Sequence, residues 1–213
     1  MKKFVLLLIC SYISIFGFSQ SNENSFLKDV GLFGGPGFNT VLGGESWQGG
    51  FGFIAGVDSK IIPLGETSNI IGGLGLAFNN VPWKESFSED GFGEYNYSGS
   101  SMFTRLFIPV LYNHVFDNNI YLEAGVQPEI ILSAKDKMDG ETSDDKDNYN
   151  VFNIAAVGGG GVQVNDKIGV GLRLILDLLN MDSSDGYYYD ENSPDRMLMI
   201  MAVLRVSLWS SDN

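Results

Sequence analysis

Between Ile120 and Ala134 the chain reads IYLEAGVQPEIILSA. Ile120, Leu122, Ala124, Val126, Pro128, Ile130, Leu132 and Ala134 alternate there with Tyr121, Glu123, Gly125, Gln127, Glu129, Ile131 and Ser133. A period of two with one apolar and one polar face is the signature of a strand whose faces meet different surroundings. Fifteen residues at about 3.3 Å each reach roughly 50 Å, longer than most strands of soluble proteins and sufficient for a tilted membrane-crossing strand with its margins. Length and polarity together predict an outer-membrane β-barrel.

The N-terminus supports export. Lys2 and Lys3 precede an apolar run from Phe4 to Phe18 and a small-residue exit at Gly17, Ser19 and Gln20, the order of a secretory signal peptide. Residues 1–20 are therefore expected to be cleaved, leaving 21–213 as one barrel domain. The single cysteine, Cys10, lies inside the hydrophobic run rather than after a lipobox, so its removal leaves no thiol chemistry. No other stretch approaches the roughly 20 apolar residues of a spanning helix. Losing Lys2 and Lys3 takes the formal charge from −13 to −15, which argues against nucleic-acid binding. The 27 glycines and 13% aromatic residues favour tightly packed strands.

The same rhythm predicts eight strands, at 30–39, 47–58, 68–79, 100–115, 119–135, 150–164, 167–180 and 196–209, the even number of an antiparallel up-and-down transmembrane barrel. In the seventh, Ile168, Val170, Leu172, Leu174, Leu176 and Leu178 oppose Gly169, Gly171, Arg173, Ile175, Asp177 and Leu179. In the eighth, Leu198, Ile200, Ala202, Leu204, Val206 and Leu208 face lipid, while Met197, Met199, Met201, Val203, Arg205 and Ser207 point inward. The first strand, VGLFGGPGFN, is too rich in glycine for its facing to be assigned.

Connections alternate in length. Those at 116–118, 165–166 and 58–68 are short or compact and belong to the periplasmic side. Those at 40–46, 80–99, 135–149 and 181–195 are polar, mostly longer, and face outside. Tyr112, Tyr121 and Trp209 fall near the inner ends of strands, and Trp83, Tyr95, Tyr97 and Tyr187 to Tyr189 near the outer ends, as two interfacial girdles or as ordinary loop aromatics. The outer loops are acidic. One carries Asp136, Asp139, Glu141, Asp144, Asp145 and Asp147 against three lysines, and the other carries Asp182, Asp185, Asp190, Glu191 and Asp195. Clustered carboxylates suit calcium, but DSSDGYYYDE does not follow the EF-hand register, so solvated loops are expected and no metal or cofactor is assigned.

Six charged residues on strands, Arg105, Glu123, Glu129, Arg173, Asp177 and Arg205, fall opposite the apolar stripe. An unpaired buried charge costs several kcal/mol, so these groups are expected to neutralise one another as a network in the lumen. An eight-stranded interior is normally filled by side chains, which argues against a constitutive pore and leaves a gated channel for ions or small solutes as an alternative. No catalytic residue is assigned. His114, the only histidine, sits beside Tyr112 near an inner strand end, with no cluster of metal ligands and no phosphate-binding loop elsewhere. A soluble periplasmic lipocalin-like barrel is a further alternative. It would place Leu172 and Leu174 inside, around an apolar ligand, and Arg173 in water.

Three segments, FIPVLYNHVF, IYLEAGVQPEIILSAK and FNIAAVGGGGVQVNDKIGVGLRLILDLLNM, resemble the PorT-like outer-membrane β-barrel domain family of Gram-negative bacteria. The shared pattern is a proline-containing strand with Pro109, the strand beginning at Tyr121 to Gly125 and ending at Ala134 and Lys135, the glycines Gly158 to Gly161, and a strand with Arg173 that ends at Leu179 and Asn180. The resemblance covers about residues 30–209. It implies an eight-stranded barrel in outer-membrane lipid, inserted by the barrel-assembly machinery. It also implies secretion or cell-surface proteins as partners, because the family's namesake is linked to protein secretion. Here Trp209 is followed by Ser210 to Asn213 rather than closing the chain as barrel endings usually do.

Overall fold

A computed structural model describes residues 30–43, 46–89, 93–181 and 195–208. The N-terminal segment read as a signal peptide, with Cys10, lies outside them. So do Tyr187 to Tyr189, most of the second acidic loop, and Trp209 with the residues after it.

The described residues form ten antiparallel strand segments: β1 (Val30–Leu42), β2 (Gly50–Pro63), β3 (Ser68–Glu89), β4 (Gly93–Phe107), β5 (Val110–Val115), β6 (Ile120–Met138), β7 (Glu141–Asp144), β8 (Phe152–Asn165), β9 (Ile168–Asp177) and β10 (Arg196–Ser207). Each wall strand pairs with its neighbours in the chain, and β1 pairs with β10, so the sheet closes on itself. Closure satisfies every wall edge, the condition for crossing a bilayer with strands. β4 and β5 lie end to end between β3 and β6 and make one wall strand, interrupted at Ile108 and Pro109. Hydrogen bonds from Ile108 to the Pro128 carbonyl and from Gly73 to the Pro109 carbonyl hold the break to both neighbours. β7 is only a hairpin partner of the end of β6. The wall therefore has eight strands.

Facing follows the alternation. On β9 Leu172 is 62% exposed and Leu174 47%, whereas Arg173 is 3% exposed and Ile175 and Asp177 are buried. On β10 Met197, Met199 and Met201 are buried, while Ile200 and Leu204 are outside. β1 turns Phe33, Asn39 and Val41 inward and Leu32, Phe38 and Leu42 outward, which settles the strand whose facing the sequence left open. The outward band of Leu, Val, Ile and Phe runs around the wall. A soluble monomer does not tolerate so large an apolar surface. The lipocalin-like alternative required Leu172 and Leu174 inside, and the observed facing overturns it.

Several boundaries differ from the sequence expectation for physical reasons. Within the segment 80–99, residues 80–89 and 93–99 are strand rather than loop. β3 and β4 stay paired out to Glu89 and Gly93, as a two-stranded ribbon beyond the rest of the wall. Ladder hydrogen bonds maintain such a ribbon without an apolar stripe, and Lys84, Ser86, Asn96, Tyr97 and Ser98 are exposed on it. Lys135 to Tyr149 likewise continues β6 into the β6–β7 hairpin and a single 3-10 turn (Lys146–Asn148). β2 begins later and runs on to Pro63, through an irregularity between Lys60 and Ile62. Opposite Thr104 and Arg105, β6 carries an extra residue, so its partners step from Ser133 to Ile131. This bulge reverses the phase of the strand and buries Ala134, which strict alternation had put on the apolar face. Tyr121 leaves the proposed girdle, since its ring points inward, over the glycines of β8 and β9.

An arginine placed in the centre of the outward band is expected to destabilise the barrel. Leu172→Arg should cost about 2–4 kcal/mol in urea unfolding from lipid vesicles, whereas the same change at a water-exposed hairpin position such as Thr142 should cost little.

Candidate functional site in the barrel interior

The interior holds two layers of ionic groups at different heights. Nearer the short turns, Arg173 on β9 donates from Nε to Glu123 Oε1 at 2.6 Å and from Nη2 to Glu123 Oε2 at 3.0 Å, a two-pronged pair that is buried on both sides. In the same layer Arg205 on β10 meets Asp58 on β2, with Nε and Nη2 at 3.1 and 3.0 Å from the same Oδ1. About four residues further along the strands, roughly 13 Å, lies the second layer. There Arg105 on β4 gives Nη1 to Glu129 Oε2 at 2.7 Å and to Asp177 at 3.0 and 3.2 Å, while Nη2 points at Met197 Sδ at 3.0 Å. Gln127 donates to the other oxygen of Glu129 at 2.7 Å. Glu129 and Asp177 thus share one guanidinium, whose Nε has no acceptor among the described residues.

Glycine determines how the lower pairs form. Glu123, Gly159 and Arg173 lie in one register row across β6, β8 and β9, so the pair spans an intervening strand. A Cβ on Gly159 would stand 2.9 Å from Glu123 Oε1 and 2.7 Å from the Leu172 carbonyl. Asp58 and Arg205 likewise reach each other across β1, where a Cβ on Gly31 would stand 2.9 Å from Asp58 Oδ1 and 3.4 Å from Arg205 Nε. Inward glycine on the middle strand opens a lane for ions on its neighbours.

The six expected residues therefore do not form a single network. Arg105, Glu129 and Asp177 come together. Arg173 and Glu123 form a separate pair, and Arg205 joins a residue outside the expected set. That residue, Asp58, stands at the end of the second expected strand and at the start of the connection after it. The alternation Ile54, Gly56, Asp58 places it on the inward face, and β2 runs on past it to Pro63. Between and beyond the layers the lumen is packed with Phe33, Phe103, Phe107, Ile131, Val203 and the β10 methionines. His114 lies on the outer side near the short turns, with Nδ1 2.8 Å from Ser68 Oγ and its ring edge-on to Phe116. At the opposite end, past the apolar band, burial pushes the Asp136 carboxyl above its ordinary value, a bond with Ser101 opposes this, and Asp145 adds to it. Among the described residues no three His, Cys, Asp or Glu side chains are grouped as metal ligands.

Two comparisons test this assignment. Gly159→Ala should cost about 1–3 kcal/mol by crowding the Arg173–Glu123 pair, whereas Gly158→Ala, whose Cβ meets nothing within 4 Å, should be close to neutral in the same urea titration. Arg105→Met should cost about 3–5 kcal/mol by leaving two buried carboxylates without a cation, while Asp177→Asn, which removes the surplus acid but keeps its shape, should stay within about 1 kcal/mol of the parent.

The family model described as outer membrane protein beta-barrel domain matches residues 18–183. Among solved structures, Neisserial surface protein A (NspA) from Neisseria is similar over 84% of this chain and 97% of its own, with 10% identity and a TM-score of 0.51. Ail, the attachment invasion locus protein of Yersinia pestis, covers 84% of this chain and 98% of its own at 11% identity, with a TM-score of 0.43. No curated protein matches the sequence. With a closed eight-stranded wall, an apolar outer band and a family match over most of its length, this chain belongs to the outer membrane protein beta-barrel domain family and is an outer-membrane β-barrel.

Proposed function

We propose that the protein is a non-enzymatic, integral outer-membrane barrel whose work is done at its outer end, as a structural, adhesive or secretion-accessory element. The observation that carries this reading is the β3–β4 ribbon. From Lys84 and Ser98 to Glu89 and Gly93 it continues for six further rungs, roughly 20 Å, past the last pairings with β2 and β6. It stands beside the acidic β6–β7 hairpin. Trp47 bridges to Trp83 at its base and donates from Nε1 to Asp195 at 2.7 Å, which steadies that base. An ordered, solvated ribbon loses little conformational entropy on meeting another protein, an advantage for a docking element.

In this reading the short turns face the periplasm and the ribbon faces outside, as in other outer-membrane barrels. The resemblance to the PorT-like family favours a partner in protein secretion. Export by a cleaved signal peptide and insertion by the barrel-assembly machinery complete the proposal. The packed lumen supports it over the gated-channel alternative.

Outer-membrane fractionation with heat-modifiable gel mobility tests the location. Photo-crosslinking from Tyr97, 44% exposed on the ribbon, tests the role. The expected result is a discrete adduct from Tyr97 and none from a lipid-facing position such as Leu204. A steady single-channel current from the purified barrel in planar bilayers, altered by Arg173→Ala, would favour the channel instead.

A further inference from the structure

At the short-turn end the described residues leave space inside the barrel. A cavity of about 340 Å³ opens there, with Lys60, Lys167 and Asp166 around its rim, and Tyr121, Arg173 and Arg205 deeper in. Above it Phe33 and Val203 close the lumen, and the Arg173 guanidinium stacks over the Phe33 ring at 5.2 Å. A solute entering this vestibule leaves by the same mouth.

The groups at its floor are unevenly satisfied. The carboxylates are engaged, Glu123 by two bonds from Arg173 and Asp58 by two from Arg205. The cations retain capacity. Arg173 is 3% exposed, and its Nη1, itself buried, has no partner among the described residues, although a buried guanidinium N–H ordinarily finds one. Arg205 directs Nε and Nη2 at a single oxygen of Asp58. With a side chain 27% exposed, it is also the more accessible of the two cations. The Tyr121 hydroxyl adds a donor beside them. Counting every charge on the wall gives near balance, because Glu66 and Asp166 offset the rim lysines. Those rim groups are exposed and screened, while the guanidinium donors work in a less polar setting where each counts for more.

We propose that this vestibule is a binding site, open to the periplasm, for a small anion of the carboxylate or phosphate type, held at the Arg173 and Arg205 guanidinium groups that line it. Guanidinium forks suit oxyanions because their N–H vectors match two oxygens of one group. The volume lies at the small end of ligand pockets and suits a compact organic acid or phosphate rather than a polymer. The site is separate from the outer ribbon, so it stands or falls independently of the function proposed above.

Nuclear magnetic resonance of the refolded protein in detergent micelles reads the arginine Nε–H signals directly. Titration with inorganic phosphate and with citrate, at ionic strength held constant with sodium chloride, should move the Arg173 and Arg205 signals saturably and leave that of Arg105 in place. Arg205→Gln should weaken binding roughly tenfold or more, and Lys167→Gln, at the exposed turn, by no more than about threefold. The absence of saturable shifts with either probe would overturn the proposal. So would parallel shifts of all three arginines, or undiminished affinity in Arg205→Gln. Because the first readout uses the unaltered protein, it holds even where Arg205→Gln does not fold.

Discussion

Charge inside a closed wall is the constraint on which the rest of the structure depends. A lumen narrow enough to be filled by side chains contains little water, so each ion placed there needs a partner with good geometry or it costs several kcal/mol. Arg105, Arg173 and Arg205 each have one. Their carboxylates come from β2, β6 and β9, and apart from Arg105–Glu129, on the paired strands β4 and β6, the contacts link strands that are not neighbours in the sheet. The lipid-facing side carries no comparable demand. Its residues need only be apolar, and the specificity of the fold accordingly resides in the interior.

Period-two alternation made most of this architecture legible, because two faces in contrasting environments impose the pattern directly on the sequence. It located all eight wall strands and the inward side of β9 and β10. It failed where the contrast fades. Near the base of the β3–β4 ribbon Ser86 and Asn96 are exposed, so Glu85, Ser86 and Asn96 carry no sign of strand. The bulge near Leu132 was equally silent, since one inserted residue leaves composition unchanged while reversing every position after it. At the site, alternation gathered six charged positions on one face but could not pair them. Pairing depends on which strands lie adjacent, two apart or three apart around the ring, and that is a property of the closed sheet. Asp58 stands outside the expected charge set because, at the last residue of the expected strand, it also reads as the first residue of a solvated turn. Gly31 and Gly159 were invisible as functional positions, since glycine signals room only once the groups that need the room are known.

The two ends of the molecule differ in kind. Toward the long loops, strand pairing outruns the wall and presents backbone-ordered ribbons with acidic side chains such as Asp139 and Glu141. Toward the short turns, the wall stops early and leaves a polar hollow floored by arginine. Between them, Met197, Met199, Met201, Phe103 and Phe107 make a packed septum. Thioethers fit the irregular spaces around Arg105 and accept its N–H groups, a use of methionine that combines filling with weak hydrogen bonding.

The Asp58–Arg205 pair spans the seam where the first and last strands of the barrel meet. Its two members belong to β2 and β10, and β1 lies between them with Gly31 at the crossing. Were β1 to seat one residue out of step, a side chain meant for lipid, such as Leu32, would turn inward and block the lane. The ion pair therefore acts as a proofreading contact. It forms only when the closing strand has found its own register, and it rewards correct closure at the one join in the wall that no chain connection enforces.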